Sequence, residues 1–333
     1  MIFKNYSNMT YITPSELEKL NFIKKEEYIK EIVLSYDFDD DPGDFSLNGI
    51  YIKSQNFFYP AAAGFDIGCG FNFSHMKNTN FDLDKISKDF VLMNIENIDK
   101  TLKNPNIDSD LPAEVELGFL TKGSHFVEVK RVVHIYDHQF AQKNNIELGD
   151  FCLLVHNGIN PCFKDVFYNY FVYFIKEFNK NIDEDEENGY VVSVPCNHNI
   201  SKKYFADSDF ALKTAFLNRN VIRSSMTKCI NAEYNFSIDS AHQSIIKKGN
   251  SIEHSKGCQP YSELNGDSIA YVAVDGRLND FIVMKNSSEN IINHGICYEQ
   301  LLKDPKRFYN QLDKEQLPYK KVIELETIKS IRS

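Results

Sequence analysis

The sequence predicts an α+β fold in a single large domain over residues 1–333. Strand-like and helix-like stretches follow one another without the regular strand–helix–strand beat of a doubly wound sheet. No internal repeats or low-complexity segments break the chain. With 333 residues, 42% hydrophobic and 25% charged, there is enough apolar material for a large core.

Taken in order, Pro14, Ser15 and Glu18 read as a capping box opening a helix that runs to about Lys30. The partly alternating run from Glu31 to Phe38 predicts a strand that empties into a turn, Asp39-Asp40-Asp41-Pro42-Gly43, with carboxylates gathered at the strand end. A glycine-rich loop, Ala63 to Gly70, precedes a helix near Leu83 to Leu102, whose apolar residues recur at three and four. Strands are predicted at Phe126 to Tyr136 and at Phe151 to Val155, a buried aromatic helix at Phe163 to Lys180, and a long helix at Asp207 to Ile230. The acidic tract Asp183 to Glu187 reads as a solvated surface loop, since like charges repel one another outward. Strands at Ile269 to Val274 and Phe281 to Met284 and a helix near Tyr298 to Leu312 complete the pattern.

The net charge of −10 argues against a broad non-specific nucleic-acid surface, which needs clustered Lys and Arg, but leaves room for a local basic groove. Trp is absent, so aromatic packing and any base stacking fall to 26 Phe and 18 Tyr. Seven cysteines, an odd number without a Cys-x-x-Cys pair, fit a reducing compartment. The start of the chain shows no basic region followed by an apolar one, and the most apolar stretch is too short to cross a bilayer, so a cytoplasmic protein without membrane contact is expected.

Asp66 and Cys69 lie three apart among Gly64, Gly68 and Gly70, which let a backbone fold tightly enough to aim both side chains at one point. A carboxylate and a thiolate aimed together suit a transition metal, while the plainer reading is a tight turn around a buried Cys. His125 stands where one predicted strand begins and His156 where another ends; His242 lies in Asp239-Ser-Ala-His. Each is either a ligand converging on a shared site or a hydrogen-bonded structural residue. His294 is followed by Gly295, which allows a ligand close backbone approach, and His254 sits in a polar stretch with Lys256. His75, His134, His138 and His198 have no such setting.

The order of these segments resembles the RtcB family of GTP-dependent RNA ligases, from about Asp39 to the end of the chain. The resemblance rests on Gly64 to Gly70, Gly123-Ser-His-Phe-Val-Glu128, Val155-His-Asn-Gly158, Asn218-Arg219, Asp239-Ser-Ala-His242, His254-Ser-Lys-Gly257, Asp275-Gly-Arg-Leu278 and His294-Gly295. It implies an α+β domain with mixed and antiparallel sheets and flanking helices around a central metal cleft. It also implies two manganese ions held by Asp66, Cys69, His125, His156 and His242, with Cys69 bridging; ligand softness alone would have suggested zinc. His294 is implied as the nucleophile that takes GMP from GTP, and Glu128, Ser124, Gly295, Arg332 and Asn218 as nucleotide-binding positions. The implied reaction joins an RNA 3′-phosphate or 2′,3′-cyclic phosphate to a 5′-hydroxyl, as in RNA repair or tRNA splicing. The implied partners are such RNA ends, GTP and an accessory activating protein whose need the sequence leaves open.

Departures from the family pattern fall around the nucleotide and phosphates rather than on the metal ligands. Ser124 replaces an Asn. The run His156-Asn-Gly-Ile-Asn-Pro161 lacks the family's arginine, as does His294-Gly-Ile-Cys-Tyr298. The chain ends Ile331-Arg332-Ser333 where the family ends Lys-Gly, and Arg332 has donors suited to guanine O6 and N7. The chain is also somewhat short for the family. Two missing guanidinium forks weaken bidentate phosphate holding, which leaves open a metal-binding phosphoesterase or RNA-end-binding protein without ligation.

Overall fold

Successive side chains of a strand point to opposite faces, so a strand with alternating apolar residues must bury one face. The structure, a computed structural model, describes residues 1–7, 12–41, 46–77, 101–122, 125–159, 161–178, 192–230, 232–273, 279–286, 290–293 and 319–332. Within them one sheet has the order β1 (Ile2–Asn5), β2 (Ile29–Asp41), β3 (Ser46–Gln55), β13 (Ser251–Lys256), β12 (Gln243–Lys248). A second has eight strands: β11 (Glu233–Ala241), β5 (Gly70–Lys77), β9 (Phe151–Asn157), β8 (Phe126–Ile135), β19 (Tyr319–Arg332), β17 (Asp280–Lys285), β16 (Asp267–Val272), β15 (Ser262–Leu264). Three short pairs join β4 (Phe57–Phe58) to β10 (Val194–Pro195), β6 (Thr101–Lys103) to β7 (Glu114–Glu116), and β14 (Cys258–Pro260) to β18 (Ile291–Asn293). β1 runs parallel to β2, whereas neighbours in the eight-stranded sheet are antiparallel throughout. The helices are α1 (Pro14–Lys25), α2 (His138–Lys143), α3 (Pro161–Phe178) and α4 (Asn199–Cys229). This is the expected α+β architecture with mixed and antiparallel sheets.

Ile32, Leu34, Ile50, Ile52, Ile245 and Ile252 of the five-stranded sheet are buried in one core cluster with Phe163, Phe167, Phe171 and Phe174 of α3. The eight-stranded sheet is apolar on both faces. Phe71, Phe73, Leu154, Tyr271 and Ile282 fill one side; Val127, Val129, Leu153 and Val155 pack on the other against Ile222 and Met226 of α4. The long helix therefore lies across the strands whose ends carry the candidate ligands.

Several expected boundaries shift for local reasons. The capping box of α1 is Thr13 with Glu16 rather than Ser15 with Glu18: the Thr13 N–H donates to Glu16 Oε2 at 2.5 Å and Glu16 N–H to Thr13 Oγ1 at 3.2 Å. Pro14 fixes the first helical φ and keeps the residue before it extended, so the cap must precede the proline. The helix stops at Lys25 because Glu26 is extended and Ile29 already belongs to β2. Asp39 to Asp41 continue β2 rather than turning, and Pro42 and Gly43 lie outside the described residues. Leu102 is in β6 instead of ending a helix; the rest of that expected helix, the Asp183 to Glu187 tract and the helix near Tyr298 also fall outside the described residues.

Candidate metal centre

Four neighbouring strands of the eight-stranded sheet, in the order β11, β5, β9, β8, bring their ligand-bearing ends to one edge. Asp66 and Cys69 occupy the turn leading into β5, His125 immediately precedes β8, His156 is the penultimate residue of β9, and His242 follows β11. The register enforces the meeting: Phe71 and Phe126 both pair with His156, and Gly70 pairs with Ala241. Main-chain bonds lock the turn, with the His242 N–H donating to the Cys69 carbonyl at 2.8 Å, Cys69 N–H to Asp66 at 2.9 Å and Gly68 N–H to Gln243 at 2.8 Å.

The Cys69 Sγ atom lies 3.3 Å from His125 Nε2, 3.4 Å from His156 Nε2 and 3.2 Å from His242 Nε2. The Nε2 atoms of His156 and His242 are 3.3 Å apart, and Asp66 Oδ2 is 3.5 Å from His125 Nε2. Two triads result, Asp66–Cys69–His125 and Cys69–His156–His242, sharing the thiol. All but the half-buried Asp66 are buried. Thiol, imidazole and carboxylate are the donors transition metals take, and a shared sulfur between two such triads fits a bridged pair. Burial pushes the Cys69 thiol well up, Asp66 pushes it further, and Arg219 pulls partly against them. A bound cation would reverse that balance, because a coordinating thiol is deprotonated outright.

The groups behind these side chains orient them. His125 Nδ1 is 2.7 Å from Thr121 Oγ1 and 3.1 Å from the Thr121 carbonyl, and the Thr121 hydroxyl in turn donates to Asn157 Oδ1 at 2.9 Å. With its proton on Nδ1, His125 presents the Nε2 lone pair to the centre. Phe71 forms an aromatic floor, its ring 4.6 Å from that of His156 and 5.4 Å from that of His242. Gly158 is required by close approach: a Cβ there would meet Asp66 Oδ1 at 2.5 Å.

Arg219, buried on α4, grips Asp239 through Nη2 at 2.7 Å and Nε at 3.1 Å, and its Nη1 donates to the carbonyls of Gly68 at 2.6 Å and Asn157 at 3.0 Å. One guanidinium thus ties the glycine-rich turn, β9 and β11 together. Sequence reasoning assigned no such task to Arg219, Asp239, Thr121 or Asn157. The signal for Arg219 was present: Leu212, Ala215, Arg219, Ile222 and Met226 recur at helical spacing, which puts a charge on the buried stripe.

The remaining expected site residues divide. Glu128 is buried on β8, 2.7 Å from Lys130 Nζ and 3.8 Å from Arg332 Nη2. Arg332 lies at the end of β19, its guanidinium over the Phe126 ring at 5.6 Å. The Asn218 side chain accepts from Gly118 N–H at 2.6 Å and donates to the Phe119 carbonyl at 3.2 Å, fixing the loop before His125. Ser124, His294 and Gly295 lie outside the described residues. His254 is a fully engaged core residue, with Nδ1 donating to the Ile52 carbonyl at 3.1 Å and Nε2 accepting from Tyr59 N–H at 3.1 Å.

The sequence model of a family described as tRNA-splicing ligase RtcB matches residues 96–255. That span holds His125, His156 and His242 but neither Asp66 nor Cys69, which the fold supplies from outside it. The chain is 23% identical over 237 residues to the RNA-splicing ligase RtcB2 of Escherichia coli, covering 67% of this chain and 56% of that protein. It is 30% identical over 108 residues to an RNA-splicing ligase RtcB homolog of Entamoeba histolytica, covering 32% of this chain and 20% of that protein. The chain is similar to RtcB-family proteins, at low identity. It spans little more than half the length of its Escherichia coli RtcB relative and a fifth of the Entamoeba one. No helix among the described residues is long and apolar enough to cross a membrane.

Proposed function

We propose that this protein is a GTP- and manganese-dependent RNA ligase that joins 3′-phosphate or 2′,3′-cyclic phosphate ends to 5′-hydroxyl ends, acting in the cytoplasm as one catalytic domain. The supporting observation is the convergence of Asp66, Cys69, His125, His156 and His242, from four distant segments, on two triads that share a thiol. The donor set fits two cations, which when bound would neutralise phosphate charge during displacement at phosphorus. His156 and His242 with Cys69 would hold one, Asp66 and His125 with the same thiolate the other.

His294 is the proposed nucleophile. Its neutral ring nitrogen attacks the α-phosphorus of GTP, the bond to the β-phosphate oxygen breaks, and pyrophosphate leaves. The GMP passes to the RNA 3′-phosphate, and the 5′-hydroxyl then attacks that phosphorus, expelling GMP and sealing the strand; a cyclic phosphate is first opened by water. Glu128, Arg332, Ser124, Gly295 and Asn218 are the proposed nucleotide-side residues. Asn218 would act through the loop it holds, since both polar atoms of its side chain bond the Gly118 and Phe119 backbone. Incubation with manganese and GTP labelled at the α-phosphate is expected to give an acid-labile adduct that His294→Ala abolishes; absence of adduct across metals and nucleotides would overturn the proposal.

A second reading draws on one observation. Ile159, in the run that lacks the family's arginine, packs in the apolar core. A protein with fewer phosphate-holding donors would keep its metals and open cyclic phosphates, or bind RNA ends, without joining strands. Hydrolysis of a cyclic phosphate by a chain that never forms the adduct would select this reading.

A further inference from the structure

β12 begins immediately after His242, and its inward face carries Ile245 and then Lys247, which pairs in register with the buried Ile252. Alternation along a half-buried strand calls for an apolar residue at that inward position. Lys247 instead sets its ammonium 5.2 Å from the centre of the Phe205 ring of α4 and borders a cavity of about 340 Å³. The cavity lies where the turn between β12 and β13 meets the segment leading from β10 into α4, about 17 Å along β12 from the metal-ligand candidate His242. No carboxylate lines it, although the chain as a whole carries a net charge of −10.

Its polar lining consists of Lys247, the amides of Asn56, Asn197 and Asn250, and the Cys196 thiol. The Lys247 ammonium meets no carboxylate among the described residues, so its charge is not already spent in an ion pair. Cys196 is 7% exposed, and burial pushes its pKa up to about 11 with Lys247 pulling partly against it; the neutral thiol adds no repulsion toward an anion. Asn197 stands just before His198, the N-cap of α4, which supplies no side-chain cap and is followed by no acidic residue in the first turn, so the helix dipole adds to the positive potential of Lys247. The two walls are tied through one residue: the Asn56 N–H donates to the Asn250 carbonyl at 2.9 Å and the Asn56 carbonyl accepts from the Cys196 N–H at 2.9 Å. Asn56 holds φ at +63°, a left-handed conformation that asparagine tolerates better than most residues.

One wall is aromatic. Phe57 lines the cavity, and Tyr28 stacks on one face of its ring with centroids 3.8 Å apart, leaving the other face for a flat ligand. A bare phosphate would leave most of this volume unfilled, whereas a phosphate joined to a flat ring would use both the cationic and the aromatic lining. We propose that this cavity binds a nucleoside monophosphate unit, with Lys247 and the three asparagine amides on the phosphate and Phe57 against the base. The unit is either a free nucleotide or one residue of a single strand. The inference goes beyond the reaction proposed above and uses none of its metal-ligand or nucleotide-side residues.

Calorimetric binding of adenosine 5′-monophosphate, adenosine and inorganic phosphate to the full chain tests this, with a chelator present to keep cations from the candidate metal centre. Wild-type protein is expected to bind the monophosphate more tightly than either part. Lys247→Gln, at an exposed position, is expected to weaken the monophosphate and phosphate by about tenfold and leave adenosine unchanged. Phe57→Leu is expected to weaken the monophosphate and adenosine by about tenfold and leave phosphate unchanged. A merely structural role for Phe57 would lower all three affinities together. No binding of the monophosphate by wild type, or an affinity unchanged in folded Lys247→Gln, overturns the inference. A single-stranded RNA arm separates the two sources. If a strand is bound, Lys247→Gln also weakens the RNA and reduces its salt slope by about one; if a free nucleotide is bound, only the monophosphate responds. The His294 adduct assay involves none of these side chains, so failure of either reading leaves the other standing.

Discussion

Two buried polar clusters lie on the eight-stranded sheet, and they differ in where their protons are. Around Lys130, donor and acceptor alternate: one ammonium faces two carboxylates and a hydroxyl, and Tyr271 donates to Asp280. Around Cys69 the atoms that face each other are a sulfur, three imidazole Nε2 atoms and a carboxylate, lone-pair bearers crowded within 3.5 Å. The first cluster carries its own cation on a side chain. The second has the donor chemistry of a site completed by metal, which is why charge balance, rather than the count of polar residues, separates a structural network from a candidate catalytic one.

The comparison breaks most decisively at the shared thiol. Cys69→Ala removes a donor from both triads, so elemental analysis after gentle purification is expected to fall from about two transition-metal ions per chain to one or none, with guanylation lost. Retention of full metal content would mean that the sulfur is not a ligand. At the other cluster the expected effect is on folding. Lys130→Met strands two buried carboxylates, and denaturant unfolding should show a loss of about 3–5 kcal/mol. Wild-type stability there would mean that the network is hydrated rather than buried.

How much of this was legible in the sequence depends on whether neighbours in space were neighbours in pattern. The helical stripe of α4 and the strands bearing His125 and His156 follow from periodicity and were readable. The Asp66 and Cys69 turn was readable as a turn, because its glycines announce tight backbone. β19 was missed, since Lys320, Lys321, Glu324 and Glu326 dilute the apolar signal that Val322, Ile323 and Leu325 carry. Missing it hid Thr327 and the place of Arg332 beside Glu128. Which histidines meet was not readable from residue spacing, because register between β5, β9 and β11 is set by pairing over distances of up to about 170 residues, and only the family resemblance named the set.

His254 extends the contrast to single residues. It shares residue type with the ligand candidates, yet both ring nitrogens are used, and burial drives its pKa from 6.5 to about 4. The folded pKa lies below the unfolded one, so its contribution to stability is full above about 6.5 and is lost as pH falls through that window. A decline of about 3 kcal/mol is expected from this group between pH 7 and pH 4. Urea titrations at several pH values check it, and His254→Gln should flatten the slope. A smaller effect is expected at Arg219→Lys, which keeps charge but loses the fork joining Asp239, Gly68 and Asn157. Metal affinity should weaken about tenfold to a hundredfold, as for other groups that orient ligands.

The smallest effect sits one residue from one of the largest. Arg131 follows Lys130 on β8 and points to the other side of the strand, where it pairs with Glu326 at 2.6 Å. The Arg131 and Glu326 side chains are 46% and 45% exposed, against 2% and 4% for Lys130 and Glu128. Water screens the exposed pair and solvates whichever partner is left behind, so Arg131→Ala should change unfolding free energy by less than about 1 kcal/mol, and added salt should shrink even that. If Arg131→Ala cost as much as Lys130→Met, burial would not be what gives a charge on this strand its weight, and the distinction between buried and exposed positions of β8 would fail with it.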